Sequence, residues 1–110
     1  MIDEKLDFAL AGLLGWVNWW DGERLTWVDG ATKEFRRKVT DWQPSNDPAA
    51  SLEVQAKALE IDTDTYIRHL GALICDRAAD HYNIYSIAKL LNASPRQRAE
   101  AAYMTLSSRG

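Results

Sequence analysis

The stretch WVNWWDGERLTWV, residues 16–28, decides the fold of this chain. Its tryptophans, valines and threonine are residue types that favour β-strands. The Asp21-Gly22 pair is a strong hairpin-turn signal, because both residue types tolerate the backbone angles of a tight turn. We therefore predict two antiparallel strands, over 16–20 and 24–28, joined at this turn.

Side-chain alternation gives this hairpin two distinct faces. Successive side chains of a strand point to opposite sides. One face of the second strand therefore carries Arg24, Thr26 and Val28, and the other carries Leu25 and Trp27. The chain has five tryptophans: Trp16, Trp19, Trp20, Trp27 and Trp42. Aromatic side chains of this size either fill a small core or anchor an interface, and the sequence leaves both roles open.

A helix is predicted before the hairpin, over residues 3–14. Apolar residues recur there at helical spacing: Ile2, Leu6, Ala9, Leu10 and Leu13. Asp3 is the expected N-cap, and Gly15 is expected to end the helix in a left-handed conformation. Gly12 costs about 1 kcal/mol relative to alanine inside a helix. Close packing against a sheet would account for that glycine.

Three further elements follow the hairpin. Asp29-Gly30 marks a second turn, and residues 32–43 form either an edge strand or an ordered loop. Charged side chains discourage unwanted pairing at an exposed edge, which favours the strand. A helix then begins at Pro48, capped by Asp47, and ends near Leu59. Another helix is predicted over 64–80 from its apolar stripe.

The C-terminal part is predicted to contain a strand and a helix. Residues 83–91 include the strand-prone run Ile84-Tyr85-Ser86-Ile87. Ser94-Pro95-Arg96-Gln97 then marks the start of a helix. Ser94 is the cap, Gln97 reaches back from the third helical position, and Pro95 occupies the first position, where no N–H is needed. The inward residues of this helix are predicted to be Ala99, Ala102, Tyr103 and Leu106.

Three segments carry a likeness to a known family. They are Leu14-Gly15-Trp16 at a helix-to-strand exit, PSNDPAA at 44–50 before a helix, and LNASPRQRAEA at 91–101. In these places the chain resembles the phage ABA-sandwich proteins, small chains from tailed phages and prophages. The resemblance implies an α+β sandwich and a phage source. That family has no established activity, so the resemblance implies no site.

Size and composition limit the class of protein. The 110 residues fit a single domain, 1–110, and 46% hydrophobic residues suffice for a core. One cysteine allows no internal disulfide and favours a reducing, cytoplasmic setting. Met1-Ile2-Asp3-Glu4-Lys5 lacks the basic start of a signal peptide. The longest apolar run, 8–17, is short of the roughly 20 residues that span a bilayer, so no membrane role is expected.

No catalytic or metal-binding constellation is found in the sequence. His69 and His81 lie six residues on either side of Cys75, about 120° away around a helix, so neither shares its face. We interpret Cys75 as a buried structural residue. Asp76, Asp80 and His81 make a poor metal site. Asp62-Thr63-Asp64 begins like a calcium loop but lacks the required glycine and glutamate. We expect no catalytic residues, metal or cofactor.

The densest basic cluster is Lys33, Arg36, Arg37 and Lys38, with Phe35 among them. Basic residues that hold phosphate and an aromatic ring that stacks on a base are typical of nucleic-acid binding. A solvated strand edge accounts for the same pattern, and the net charge of 13 − 16 = −3 provides no global attraction for nucleic acid. Arg96 and Arg98 lie where a helix dipole disfavours cations.

The predicted fold is α+β, a small antiparallel sheet of three or four strands with helices packed in layers. The predicted function is that of a non-enzymatic phage or prophage accessory protein, which binds a host or phage protein and inhibits a host or defence function. The candidate surface is Trp19, Trp20, Trp27, Phe35, Arg36, Arg37 and Lys38. The alternatives are a nucleic-acid-binding module that uses segment 33–38 and, last, a small enzyme. A homodimer through the hairpin edge or the aromatic face is also anticipated.

Overall fold

The computed structural model describes residues 1–75 and 84–108 and has the predicted α+β architecture. The four helices of this part of the chain are α1 (Asp3–Leu13), α2 (Pro48–Cys75), α3 (Ile84–Leu91) and α4 (Pro95–Ser107). The strands are β1 (Trp16–Trp20), β2 (Leu25–Asp29) and β3 (Phe35–Lys38), followed by a 3-10 turn, Val39–Asp41.

The strands form one antiparallel sheet in the order β1-β2-β3. The predicted hairpin is confirmed, with β2 one residue later than expected. Its turn is held by Asp21, whose carboxylate accepts hydrogen bonds from the backbone N–H groups of Glu23 and Arg24 at 2.8 and 2.9 Å. Gly22 has a φ of +105°, which a residue with a side chain rarely adopts. The turn therefore needs both residues of the Asp-Gly pair.

Segment 32–43 contains a short edge strand, β3, so the strand interpretation is confirmed for four of its residues. β3 pairs with β2, and the register shifts between Trp27 and Val28. Such a bulge twists an edge strand and interrupts its regular pairing. The segment then leaves the sheet through the 3-10 turn.

The predicted helix α1 is confirmed, but two details of it are wrong. Its N-cap is Ile2, with no side-chain cap hydrogen bond, and Asp3 is already helical. The carboxylates of Asp3 and Glu4 instead lie in the first turn, where the helix dipole favours negative charge. A Cβ at Gly12 would meet nothing within 4 Å, so close packing does not explain that glycine. Gly15 does take the predicted left-handed conformation, with φ +85°.

The two helices predicted over 48–59 and 64–80 join as α2, which is broken at Asp62. Asp62 has φ −159° and ψ 85°, values outside the helical region. Its carboxylate accepts hydrogen bonds from the N–H and hydroxyl of Thr65 at 3.1 and 2.7 Å, which caps the second half. Asp47 caps the first half by accepting from the N–H of Ala50 at 3.2 Å. Residues 76–80 lie outside the described part of the chain.

The strand predicted over 83–91 is wrong for its described residues, because Ile84–Leu91 is the helix α3. Ile84, Ile87 and Leu91 recur at spacings of three and four, a helical period that the β-propensity of isoleucine and tyrosine concealed. Leu90 packs against the core, whereas Ile84 and Leu91 are exposed. The segment therefore adds no fourth strand.

The start of α4 is confirmed at Ser94. Its hydroxyl accepts from the N–H of Gln97 at 3.1 Å, and the Gln97 side chain accepts from the N–H of Ser94 at 2.9 Å. Both bonds of a capping box are present, with Pro95 as the first helical residue. Ala99, Ala102 and Leu106 are buried as predicted, and Tyr103 is partly buried.

The core lies where α1, α2 and α4 meet, with Leu10, Val54 and Ala99 fully buried. The sheet joins this core through aromatic contacts on one of its faces. Phe8 of α1 packs edge-on against Trp27, with ring centroids 4.9 Å apart. Trp16 packs on Trp42 with centroids 4.8 Å apart. Phe8 of α1 and Trp42 of the loop before α2 thus contact the Trp27 face of the sheet.

Candidate protein-interaction surface

The opposite face of the sheet is defined by two rows of paired residues. Residues directly opposite in an antiparallel pair share a face. Val17 pairs with Val28, which pairs with Phe35; Trp19 pairs with Thr26, which pairs with Lys38. We call these six residues the aromatic face. It is the side of the sheet away from Trp27, because Thr26 and Val28 flank Trp27 on β2.

Exposure on the aromatic face is uneven. Trp19 is 51% exposed and Phe35 is 60% exposed, although both are large aromatic side chains. Thr26 and Val28, on the central strand between them, are buried. Val28 lies outside the main core cluster. The aromatic face therefore has a small buried centre of its own, with one exposed ring on each side of it.

The Thr26 side chain is anchored within the sheet. Its hydroxyl donates a hydrogen bond to the backbone carbonyl of Trp19 at 2.9 Å. A buried hydroxyl that has a hydrogen-bond partner avoids the desolvation penalty of an unpaired polar group. The buried centre of the aromatic face therefore consists of an apolar residue, Val28, and a threonine whose hydroxyl has its hydrogen-bond partner.

The structure separates the tryptophans that the sequence grouped together. Trp19 lies on the aromatic face, whereas Trp20 is on the opposite side of β1 and is 59% exposed. Trp27, a predicted surface candidate, is instead a core residue with 4% exposure, because it packs against Phe8 beneath the sheet. Sequence reasoning did not select Val17. Strand alternation from Trp19 would have placed it on the same face.

The basic cluster is largely neutralised within the fold. Arg36 forms ion pairs with Asp29 at 3.1 Å and Glu34 at 3.9 Å. Arg37 pairs with Glu53 of α2 at 3.3 Å. Lys38 forms no ion pair with a described residue and lies on the aromatic face beside Thr26. Of the predicted basic candidates, Lys38 alone is thus both on this face and available to a partner.

The turn that positions Phe35 is organised by Asp29. One carboxylate oxygen accepts from the N–H groups of Ala31 and Thr32, both at 2.9 Å. The other oxygen accepts from the Arg36 guanidinium at 3.1 Å. The Thr32 backbone bond, then the Arg36 bond, lower the pKa of Asp29 to about 2. Lys33 completes the turn with a φ of +64°.

The arginines at the start of α4 have structural partners. Arg96 forms ion pairs with Asp3 of α1 and, at 2.7 Å, with Glu100. It also donates to the backbone carbonyl of Met1. Arg98 donates to the hydroxyl of Ser51 at 2.9 Å. Acidic and hydroxyl partners on α1 and α2 therefore offset the unfavourable dipole position of these cations.

One buried carboxylate lies away from the aromatic face. Asp7 accepts hydrogen bonds from the N–H and hydroxyl of Ser45 at 2.8 and 2.9 Å, which ties α1 to the loop before α2. Burial raises the pKa of Asp7, although the Ser45 bonds oppose this effect. Asp7 borders a pocket of about 350 Å³ that also contains Phe8 and Trp42. Each carboxylate oxygen accepts a hydrogen bond from Ser45, so we interpret Asp7 as a structural residue that links α1 to this loop.

The described residues hold no group of three or more metal-ligating side chains that converge. His69 is partly buried on α2. Asp76, Asp80 and His81, which we considered as a poor metal site, lie outside the described residues, as does the side chain of Cys75. No helix within 1–75 or 84–108 is long and apolar enough to cross a bilayer.

The fold and this surface define a small α+β protein with helices on one face of a three-stranded sheet and exposed aromatic rings on the other. Comparison with models of protein families, with curated proteins and with solved structures finds no match to this chain.

Proposed function

We propose that this chain is a non-enzymatic protein-binding module whose aromatic face docks on a partner protein. The observation that carries this proposal is the pair of exposed rings, Trp19 and Phe35, on one face of a sheet whose other face contributes Trp27 to the core. Large aromatic side chains at the centre of a patch are the residues that most often dominate protein–protein binding. Burying them against a partner is favourable, because each Å² of apolar surface removed from water contributes roughly 25 cal/mol of free energy.

Charge defines the kind of partner that fits. Lys38 is the sole charged residue of the aromatic face, and strand alternation continues that face to Arg24 at the hairpin tip. Among the described residues, the Arg24 side chain forms an ion pair only with its exposed neighbour Glu23, at 3.5 Å. The partner is therefore a folded protein with an apolar patch rimmed by acidic side chains, because that pattern complements an aromatic centre with cations at its border.

The resemblance to phage ABA-sandwich proteins supports a phage or prophage setting for this activity. In that setting the partner is a protein of the phage or of its host cell, and binding inhibits a host or defence function in the host cytoplasm. The exposed aromatic rings support a role by occupancy, in which the bound face blocks a surface of the partner.

Nucleic-acid binding is the alternative that one observation favours. Trp19, Phe35 and Lys38 share a face, and stacking rings beside a cation suit single-stranded nucleic acid. The ion pairs of Arg36 and Arg37 count against it, because these cations already have acidic partners. Protein binding is therefore the stronger proposal.

The test uses the tagged chain as bait in a lysate of the bacterial host, with captured proteins identified by mass spectrometry. Trp19→Ala removes an exposed ring from the aromatic face. Trp20→Ala removes its neighbour, which is equally exposed but on the opposite face, and is the matched control. We expect one specific protein to be retained by the wild type and by Trp20→Ala. The affinity of Trp19→Ala for the purified partner should be lower by at least about tenfold.

Charge reversal sharpens this test. Lys38→Glu should weaken the same complex, and the loss should shrink at high salt because the contact lies at an exposed rim. A complex that is indifferent to Trp19→Ala and Phe35→Ala would overturn the proposal. Binding to a labelled single-stranded oligonucleotide that requires Lys38 and weakens steeply with salt would replace it with the alternative.

A further inference from the structure

The backbone of β1 has an outward side, which the register identifies. In an antiparallel pair, opposite residues alternate between those that exchange hydrogen bonds and those that do not. The N–H of Gly30 donates to the carbonyl of Gly15 at 2.9 Å, and the N–H of Asp21 donates to that of Arg24 at 3.1 Å. These bonds bracket the hairpin and fix which of its pairs are hydrogen-bonded.

The alternation assigns the same hydrogen-bonded pairs from either end of the hairpin. Val17 with Val28 and Trp19 with Thr26 are the bonded pairs. The N–H and carbonyl groups of Trp16, Asn18 and Trp20 therefore point away from β2. No residue of the described chain hydrogen-bonds to these backbone groups. We call this row of six backbone groups the open edge.

The two edges of the sheet differ in how they are protected. β3 carries Arg36, Arg37 and Lys38, contains a bulge against β2, and is tied to α2 through Glu53. Charges and bulges are the devices that keep an edge strand from pairing with another chain. β1 has neither: its sequence WVNWW contains no charge and no proline, and its pairing with β2 is regular over five residues. The open edge is thus a template for another strand.

We propose that the open edge pairs with the open edge of a second copy of this chain, antiparallel, with the two-fold axis at Asn18. In this register Trp16 of one copy faces Trp20 of the other, and Asn18 faces Asn18. The backbone groups of all three residues point outward, so Trp16 with Trp20 and Asn18 with Asn18 are hydrogen-bonded pairs, and Val17 with Trp19 is the non-bonded pair between them. A strand whose outward groups are symmetric about its central residue is self-complementary, as a two-fold interface requires.

Side chains support the same register. Trp16 of one copy lies opposite Trp20 of the other on the Trp27 side of the sheet. Val17 lies opposite Trp19 on the aromatic face. Aromatic and β-branched residues form favourable cross-strand pairs, worth roughly 0.2–1 kcal/mol each. Because β1 contains no charged residue, no like charges are brought together across the axis. The product is a continuous six-stranded sheet.

This inference is independent of the proposed function. Asn18 lies on the Trp27 side of the sheet, opposite Trp19 and Phe35. Substitution of Asn18 therefore tests pairing of the open edge without removing a side chain of the aromatic face. Loss of dimerisation with retained partner binding, or the reverse, separates the two proposals.

The experiment measures molecular mass by light scattering and sedimentation over a range of protein concentrations. The wild type should show a concentration-dependent dimer. Asn18→Lys and Asn18→Glu should each be monomeric, because each places like charges directly opposite at the axis. An equimolar mixture of these two variants should dimerise again, since lysine then faces glutamate. Asn18→Thr is the neutral control and should remain dimeric, because threonine suits a strand.

Far-UV circular dichroism and thermal unfolding establish that each variant is folded. A wild type that stays monomeric at its highest soluble concentration would overturn the proposal. So would a dimer that persists in folded Asn18→Lys, or a mixture of the charge variants that stays monomeric while Asn18→Thr dimerises. Recovery in the mixture shows that residue 18 of one copy lies close to residue 18 of the other, as the proposed two-fold axis at Asn18 requires.

Discussion

At the scale of single residues, one aspartate organises the approach to β3. Asp29 ends β2, accepts two backbone hydrogen bonds from the turn that follows and pairs with Arg36. The sequence marked Asp29-Gly30 as a turn, which the structure confirms. It did not reveal the pairing with Arg36, because that contact depends on how the chain returns seven residues later.

The low pKa of Asp29 predicts a pH dependence of stability. Its native pKa of about 2 lies below the ordinary 3.8. The carboxylate therefore stabilises the fold fully above about pH 3.8, and this contribution is lost as the pH falls toward 2. We expect Asp29→Asn to lower the free energy of unfolding at neutral pH, and the gap from the wild type to close near pH 2. Urea unfolding at both values measures this.

Glu34→Gln is the control for that prediction, because Glu34 makes only a 3.9 Å contact with the same arginine. Exposed ion pairs of this kind contribute little, so this variant should unfold almost as the wild type does at either pH. An Asp29→Asn deficit that is equally large near pH 2 would show that the charge of the carboxylate is not the stabilising feature.

At the scale of secondary-structure elements, helix ends were more predictable than strand identity. Ser94, Pro95 and Gln97 act within a single turn, so their chemistry is local and the start of α4 followed from the sequence. The segment of α3 has strand-prone residues and yet is helical. β-propensity largely reflects packing against neighbouring strands, and this segment has no strand beside it among the described residues.

The capping box gives a prediction for α4. Ser94→Ala removes the hydroxyl that accepts from Gln97 and leaves that N–H without its partner. We expect a loss of about 0.5–2 kcal/mol in the free energy of unfolding. Urea titration followed by circular dichroism measures it. Ser107→Ala, near the exposed end of the same helix, should change stability much less, and equal losses in the two variants would contradict the assignment.

At the scale of the whole molecule, stability depends on three helices that are far apart in the sequence but pack together in one core. Leu10 of α1 is fully buried in a core shared with α2 and α4. Arg96 of α4 reinforces this junction through Asp3. The mutual packing of α1 and α4 was not predictable, because an apolar stripe shows which face of a helix is buried but not against which partner.

Core packing gives a prediction for the whole fold. Leu10→Ala should lower the free energy of unfolding by about 2–5 kcal/mol, since it removes buried methyl groups and leaves a cavity. Leu13→Ala, one turn later on α1 and 38% exposed, should cost clearly less. Chemical unfolding of both variants provides the comparison. Similar losses would mean that α1 does not pack as the structure has it.

The candidate surface shows the same division between local and tertiary information. Trp19, Phe35 and Lys38 were all selected from the sequence as candidates, and the structure places them on one face. Trp27 was selected with them but is buried, and Arg36 and Arg37 are ion-paired. Residue type identifies aromatic and basic side chains, but it carries no information about what lies above or beside them.

The sequence by itself determined the α+β class, the hairpin at Asp21-Gly22 and the caps at Asp47 and Ser94. Each of these follows from backbone preferences and hydrogen bonds within a few residues. Only the tertiary structure decided which sheet face contributes to the core, which tryptophans, Trp27 and Trp42, are buried, and which strand edge stays open. Those outcomes depend on contacts between segments distant in the chain, whose free energies no local pattern encodes.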